Sequence, residues 1–257
     1  MTTKGTTGAI YPSLAGKKVI ITGGGSAIGA GIVEGFVRQG AHVGFVDILE
    51  EPSLALADQL AQLGPRPLFR LQDVTDDATR AAGIGELVGA LGGCDVLINN
   101  AASDQRHAIA DITVGEWDRL MGVNLKHQFF VAQACLPAMR AAGAGSIINL
   151  GSISWHLGLE DLTVYQTAKA AIEGLTRSMA RELGPENIRV NAIIPGNVQT
   201  PKQMQWYTPE GEAEIVRAQC VKGRIQPVDI AAMALFLASD DARFCTAHNY
   251  WVDAGWR

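Results

Sequence analysis

Short runs rich in Ile, Val and Leu recur along the chain at residues 17–22, 41–46, 67–71, 95–98, 146–150, 188–194 and 249–252. Runs this short, bounded by glycine, proline or polar residues, read as buried strands. Between them, apolar residues return every three or four positions, the spacing of a helix with one buried face. This pattern predicts helices that run to Gln39 from the first glycine turn and over 53–63, 76–90, 117–140 and 228–238. A further helix carries Tyr165 and runs to about Leu183, where Gly184-Pro185 stops it. Strands alternating with helices predict an α/β fold: one domain with a doubly wound parallel sheet of about seven strands and helices on both faces. Residues 201–223 break the rhythm with Gln203, Trp206, Tyr207, Glu210 and Glu212. An insertion after a strand's C-terminal end suits a substrate lid, here around 197–223, and equally a plain surface excursion.

The polar interruptions carry the candidate chemistry. The first strand enters TGGGSAIG, residues 22–29, and then a helix. Glycines in that context let backbone amides approach a pyrophosphate at a helix N-terminus. The second strand ends at Asp47, eighteen positions after Gly29 and close to the ~20 expected of a ribose-binding carboxylate. An acid there binds a 2′-hydroxyl and repels a 2′-phosphate, which favours NAD over NADP. Asp73-Val74, after the third strand, either meets an adenine edge or caps the next helix. NNAA, residues 99–102, follows the fourth strand, and its small residues let the chain pass close to a cofactor or make a tight turn. Asn124 lies inside a long helical pattern, where an asparagine disturbs hydrogen bonding and can hold a water.

Beyond the fifth strand stand Ser152, Tyr165 and Lys169. The last two share a helix face. An ammonium group beside a phenol favours the phenolate and lowers a pKa that is ordinarily ~10. Taken alone, the pair is better read as chance residues on a surface helix.

Composition narrows the field. Of 257 residues 47% are hydrophobic, enough for a large core, and the net charge is −5. No basic cluster points to nucleic acid, and no apolar run approaches the ~18 residues of a membrane span. Cys94, Cys135, Cys220 and Cys245 are scattered, which suggests reduced thiols in a cytoplasmic protein and no metal. The polar, glycine-rich start lacks a signal peptide's apolar core, so residues 1–12 are expected to form a flexible tail.

Together, TGGGSAIG, NNAA, Asn124, Ser152, Tyr165, Lys169 and PGNVQT at 195–200 resemble the short-chain dehydrogenase/reductase family, from about Gly16 to the C-terminus. The resemblance implies a Rossmann-type domain that binds NAD. It implies a catalytic tetrad of Asn124, Ser152, Tyr165 and Lys169. Cofactor contacts would come from Gly23, Gly25, Ser26, Ala27, Ile28, Gly29, Asp47, Ile48, Asp73, Val74, Asn100, Ala101, Ala102, Tyr165, Lys169, Pro195, Gly196, Val198 and Thr200. Two positions depart from the family pattern: Ala27 and Ala102 stand where glycine is usual. If position 27 requires a positive φ, alanine costs ~1 kcal/mol or more.

Residues 151–162, 206–213 and 218–225 and the YWVDAGWR ending resemble family members that oxidise aldoses, D-xylose in particular. The implied reaction takes the C1 hydroxyl of the sugar to a lactone. Ser152 would orient that hydroxyl, Tyr165 accept its proton, Lys169 keep Tyr165 acidic, and Asn124 anchor a water. Sugar contacts are expected from Asp104, His107, Ser152, Trp155, His156, Asn197, Gln203 and Trp206. L-Arabinose, D-galactose or L-fucose, a keto acid, keto-deoxy sugar acid or steroid, and a non-catalytic NAD-binding sensor remain alternatives. A homotetramer is expected from pairing of the long helices. Ile172, Leu175 and Met179 offer a stripe for that contact, though packing on the sheet explains them equally.

Overall fold

The computed structural model describes residues 8–205 and 207–256. Strands and helices alternate as β1 (Lys18–Thr22), α1 (Ala27–Arg38), β2 (His42–Asp47), α2 (Glu50–Leu60), β3 (Leu68–Leu71), α3 (Arg80–Leu91) and β4 (Val96–Asn99). Next come α4 (Val114–Met121), a wide π turn (Gly122–Lys126), α5 (His127–Ala142), β5 (Gly145–Leu150), α6 (Ser154–Leu157), α7 (Thr163–Leu183) and β6 (Ile188–Pro195). The chain continues through α8 (Pro201–Met204), α9 (Pro209–Ala218), α10 (Pro227–Ala238) and β7 (Asn249–Val252).

The strands form one seven-stranded sheet in the order β3-β2-β1-β4-β5-β6-β7, with every pairing parallel. Successive side chains of a strand face opposite sides, so β1 sends Val19 and Ile21 to one face and Ile20 to the other. On the first face they meet Ile32 and Phe36 of α1, Leu60 of α2 and Ile230 of α10. On the second lie Ile84 of α3, Val131 and Met139 of α5, and Met179 and Leu183 of α7. A fully buried side chain of this kind contributes ~1.5–3 kcal/mol. The Ile172–Met179 stripe is therefore spent within the chain: Ile172 is 0% and Met179 8% exposed.

Three local differences from the expected elements have physical causes. Helix α2 begins at Glu50 rather than 53, because Pro52 falls in its first turn, where its missing N–H is no loss. Helix α3 begins at Arg80 rather than 76. Asp73 Oδ1 accepts Thr75 N at 2.8 Å and Asp76 Oδ1 accepts Ala78 N at 2.9 Å, local bonds that compete with a helix. The long helix expected over 117–140 spans Val114–Ala142 with the π turn inside it. Of the expected tail, residues 1–7 lie outside the described residues. Tyr11 N donates to Gln39 Oε1 at 2.9 Å, and Gln39 Nε2 donates to Ala9 O at 2.9 Å. No helix among the described residues is long and apolar enough to cross a membrane.

Strand order reverses between β1 and β4, whose C-terminal ends are in register at Thr22 and Asn99. A crevice opens at such a switch point because the connections leave β1 and β4 for opposite faces.

Candidate active site

A cleft of about 560 Å³ occupies that crevice and runs from the glycine turn to α8 and the C-terminal segment. At one end, Gly23 has φ +66, and a Cβ there would lie 2.8 Å from Ala101 Cα. A Cβ on Gly29 would fall 1.8 Å from the Gly23 carbonyl oxygen. The turn is thus packed directly on the NNAA segment. Thr22 Oγ1 accepts the backbone N–H of Asn100 at 3.0 Å and of Ala101 at 3.1 Å. Asn100 Nδ2 returns donors to Thr22 O at 3.1 Å and Gly23 O at 2.8 Å. Asp47 is 8% exposed; its Oδ2 accepts Gly25 N at 2.8 Å and its Oδ1 accepts Leu49 N at 3.0 Å. One carboxylate therefore ties the glycine turn to the end of β2 and keeps a face on the cleft. Gly23, Ser26, Ala27, Ile28, Gly29, Ile48, Asp73, Val74, Asn100, Ala101, Ala102, Pro195, Gly196, Val198 and Thr200 line the same cleft. Gly25 does not line it and acts through Asp47. A backbone cradle next to a strand-end carboxylate fits a dinucleotide.

Ala27 sits at φ +49, in the left-handed region where a side chain costs ~1–2 kcal/mol. Of the two cases left open for this position, the structure shows the positive φ, and the chain meets it with alanine.

Ser152 stands just past the end of β5. Its Oγ accepts Ser154 N at 3.1 Å and hydrogen-bonds Tyr165. Lys169 is 1% exposed; its Nζ donates to Leu150 O at 2.7 Å and lies 5.5 Å from the centre of the Tyr165 ring. The expected drop in the Tyr165 pKa does not come from the protein groups by themselves. With protein groups alone, burial pushes the phenol up to about 12, although the bond to Ser152 works the other way. Burial also pushes Lys169 down to about 7, so the lysine's own charge is weakened where it is needed. Asn124 is 0% exposed on the π turn. Its Oδ1 accepts Ser103 N at 2.9 Å and its Nδ2 donates to Ser103 O at 3.0 Å. The carboxamide thus pins the loop that carries Asp104 and does not itself line the cleft.

The expected sugar contacts divide. Asp104, Ser152, Asn197 and Gln203 line the cleft; His107, Trp155 and His156 do not. Trp155 Nε1 and His156 Nε2 converge on Glu173 Oε1 at 2.9 and 3.0 Å. The His156 ring stacks on Trp155 at 3.5 Å and meets Trp251 at 4.5 Å. A carboxylate on α7 and the edge strand β7 thus draw both rings outward. His107 is tied by its N–H to Asp161 O at 2.9 Å, beside rather than inside the cleft. Trp206 lies outside the described residues. Leu157, Leu159, Leu162, Tyr207 and Trp256, rather than Trp155 and His156, form the apolar side. Lys202, 2.5 Å from Asp104 Oδ1, spans the mouth. Thr22 and Lys202 were missing from the expected site, and Tyr207 was expected only as part of the lid; Thr22 had a local signal, standing at the head of the glycine motif.

A family model described as Enoyl-(Acyl carrier protein) reductase matches residues 23–257. The D-xylose 1-dehydrogenase of Caulobacter vibrioides is 57% identical over 249 residues, covering 97% of this chain and 99% of that protein. A Rhizobium meliloti protein named "Probable galactose dehydrogenase GalD" is 46% identical, covering 95% and 96%. A Beutenbergia cavernae structure assigned as an NAD(P) dependent gluconate 5-dehydrogenase, with NADP bound at low occupancy, superposes with a TM-score of 0.88. It is 33% identical, over 95% of this chain and 98% of that one. Matches of this extent, on a parallel sheet whose switch-point cleft brings Ser152, Tyr165 and Lys169 beside a glycine turn, make the chain an oxidoreductase of the short-chain dehydrogenase/reductase family, whose cofactor is a nicotinamide nucleotide.

Proposed function

We propose that the chain is an NAD-dependent aldose 1-dehydrogenase that oxidises the C1 hydroxyl of a cyclic sugar, D-xylose foremost, to the lactone. The observation that carries this reading is the make-up of the cleft beyond Ser152. Asp104, Asn197, Gln203 and Tyr207 place polar groups opposite Leu157, Leu159 and Trp256. A pyranose needs that combination of hydrogen-bonding edge and apolar face. The 57% identity to a D-xylose 1-dehydrogenase supports the choice of sugar, and the 46% identity to a galactose dehydrogenase supports the wider class.

In this reading Ser152 Oγ holds the anomeric hydroxyl against Tyr165, and the Tyr165 oxygen takes its proton as C1 is oxidised. Lys169, fixed by the Leu150 carbonyl, orients the phenol from below. A bound nicotinamide would supply the hydride acceptor and, in its oxidised form, positive charge that favours the Tyr165 phenolate. The glycine turn would hold the diphosphate, and Asp47 the adenosine ribose. The second lone pairs of the Asp47 carboxylate are free for both ribose hydroxyls, and its charge repels a 2′-phosphate, so NAD is preferred. The excursion 197–223 serves as the lid, and the protein acts in the cytoplasm.

A homotetramer is supported by exposed apolar residues on α4 and α5: Val114, Trp117, Phe129 and Phe130. Light scattering at micromolar concentration tests it; a monomeric mass would reject it. The functional test is NADH formation against D-xylose, L-arabinose, D-galactose and L-fucose, with the lactone or aldonic acid identified. Oxidation of another aldose changes only the sugar. Activity confined to keto acids or secondary alcohols, or none with NAD, would overturn the reading.

A further inference from the structure

The excursion after β6 is sealed at its base. Val198 pairs with Ile225 in a parallel bridge, and Gln199 N donates to Ile225 O at 2.7 Å. Against that seam lies Arg224, its side chain 9% exposed and ion-paired with Glu212 of α9. Arg224 Nη2 donates to Asn197 Oδ1 at 2.8 Å, and Asn197 Nδ2 donates to Tyr207 Oη at 2.8 Å. The guanidinium lies 5.8 Å from the centre of the Tyr207 ring.

These contacts fix a proton. A guanidinium is a donor only, so the Asn197 atom facing it is the carbonyl oxygen, and the NH₂ group must face Tyr207. The phenol oxygen therefore accepts, and its own hydrogen points elsewhere. Among the described residues no acceptor meets it, and Tyr207 lines the cleft. Gln203 lines it too, with an Oε1 that is buried and has no partner among the described residues. The lid thus presents an unused donor and an unused acceptor to the same space.

We propose that Tyr207 reads the sugar: its hydroxyl donates a hydrogen bond to one oxygen of the substrate, while Asn197 and Arg224 are positioning residues that aim its proton into the cleft. Gln203 Oε1 accepts from a sugar hydroxyl on the same side. Asn197, whose amide is spent on Arg224 and Tyr207, acts on the substrate through the tyrosine. The inference deepens the aldose reading and rests on it.

The experiment begins with the unaltered protein and its best aldose. If no aldose is oxidised, the functional reading fails before any variant is made. Given turnover, Tyr207→Phe keeps the ring and removes the donor. The expected loss in kcat/KM is about tenfold, the worth of one hydrogen bond in a desolvated site. It should fall on KM, with kcat and NADH affinity by fluorescence titration within twofold. The parent should lose the same factor on the one deoxy-aldose that lacks the oxygen read by Tyr207, and Tyr207→Phe should no longer distinguish that pair. Asn197→Asp keeps the pairing with Arg224 but offers only lone pairs to the phenol, turning its proton away from the cleft. It should match the loss of Tyr207→Phe, with no further loss in the double variant. A kcat/KM for Tyr207→Phe within twofold of the parent, additive losses in the double variant, or a loss that falls on NADH binding would each overturn the assignment.

Discussion

The two ends of the cleft are held by different kinds of bond. At the cofactor end, Thr22, Asp47 and Asn100 each reach backbone groups of a neighbouring strand end or turn. At the sugar end, Asp104 meets Lys202, Asn197 meets Tyr207, and Glu212 meets Arg224, side chain to side chain between loops and short helices. Backbone partners are supplied by the fold itself, so the first end depends on a few small residues at set positions. Side-chain partners must be supplied together, so the second end is a matter of particular combinations. One end can therefore stay the same while the other is rewritten for a new substrate.

The sharpest way to break this comparison is at the point where the two ends meet. Tyr165→Phe removes the proton acceptor and leaves the cradle intact. Turnover is expected to fall by about 10³-fold or more, with NADH affinity within a few-fold; a folded variant with near-normal turnover would reject the role. The pH profile sharpens the same point. Tyr165 acts only after losing its proton, and protein groups alone hold it at about 12. Lys169, at about 7, gives up its helping charge as pH rises above neutrality. The value of kcat/KM for oxidation, at saturating NAD, should rise from neutral to alkaline pH as Tyr165 ionises, and Lys169→Ala should cost most at and below neutrality, where Lys169 still carries its charge. A flat profile would show that proton removal does not limit the reaction.

Asp47→Ser tests the cofactor end. It removes the charge that opposes a 2′-phosphate, and the preference for NAD over NADP in kcat/KM should narrow by on the order of 10–100-fold. NAD affinity should fall as well, since Gly25 N and Leu49 N lose their acceptor. Parent values equal for both cofactors would contradict the role of Asp47. Ala27→Gly, at φ +49, trades about 1 kcal/mol of left-handed strain against glycine's greater chain entropy. The expected result is a rise in Tm of ~1–3 °C by calorimetry; a fall would show that the methyl group packs usefully. The smallest effect belongs to His156→Gln, because that ring faces Glu173 and Trp251. KM for the sugar should stay within about twofold, and a tenfold rise with intact NADH binding would put His156 back in the cleft.

Legibility in the sequence followed the same division. The strands and the glycine turn are short-range patterns, and the structure places each within a few residues of expectation. Asp47 could be found because a βαβ unit fixes its distance from Gly29. The starts of α2 and α3 shifted because Pro52 and the Asp73 and Asp76 side chains act over two or three residues, below the resolution of a hydrophobic period. Trp155 and His156 misled because adjacency to Ser152 says nothing about which way α6 turns. Glu173, well beyond them on α7, decides it. Arg224 had no local signature at all, and Tyr207 stood out only as an aromatic of the excursion, since the role of each comes from meeting Asn197 across its base.

The bridge between Val198 and Ile225 has a consequence for how such an enzyme changes. It closes the intervening chain on itself just beyond β6, so past Thr200, which stays with the cofactor end, the length of that chain is set apart from the strands that hold Ser152 and Asp47. Loop closure is forgiving of length: doubling a flexible segment costs only ~0.6 kcal/mol. A stretch of different size and sequence spliced between the same two residues would enter and leave the fold at the same points. Acquiring a new sugar then resembles exchanging a cartridge, one continuous stretch of gene, and the hydride chemistry need not be reinvented each time.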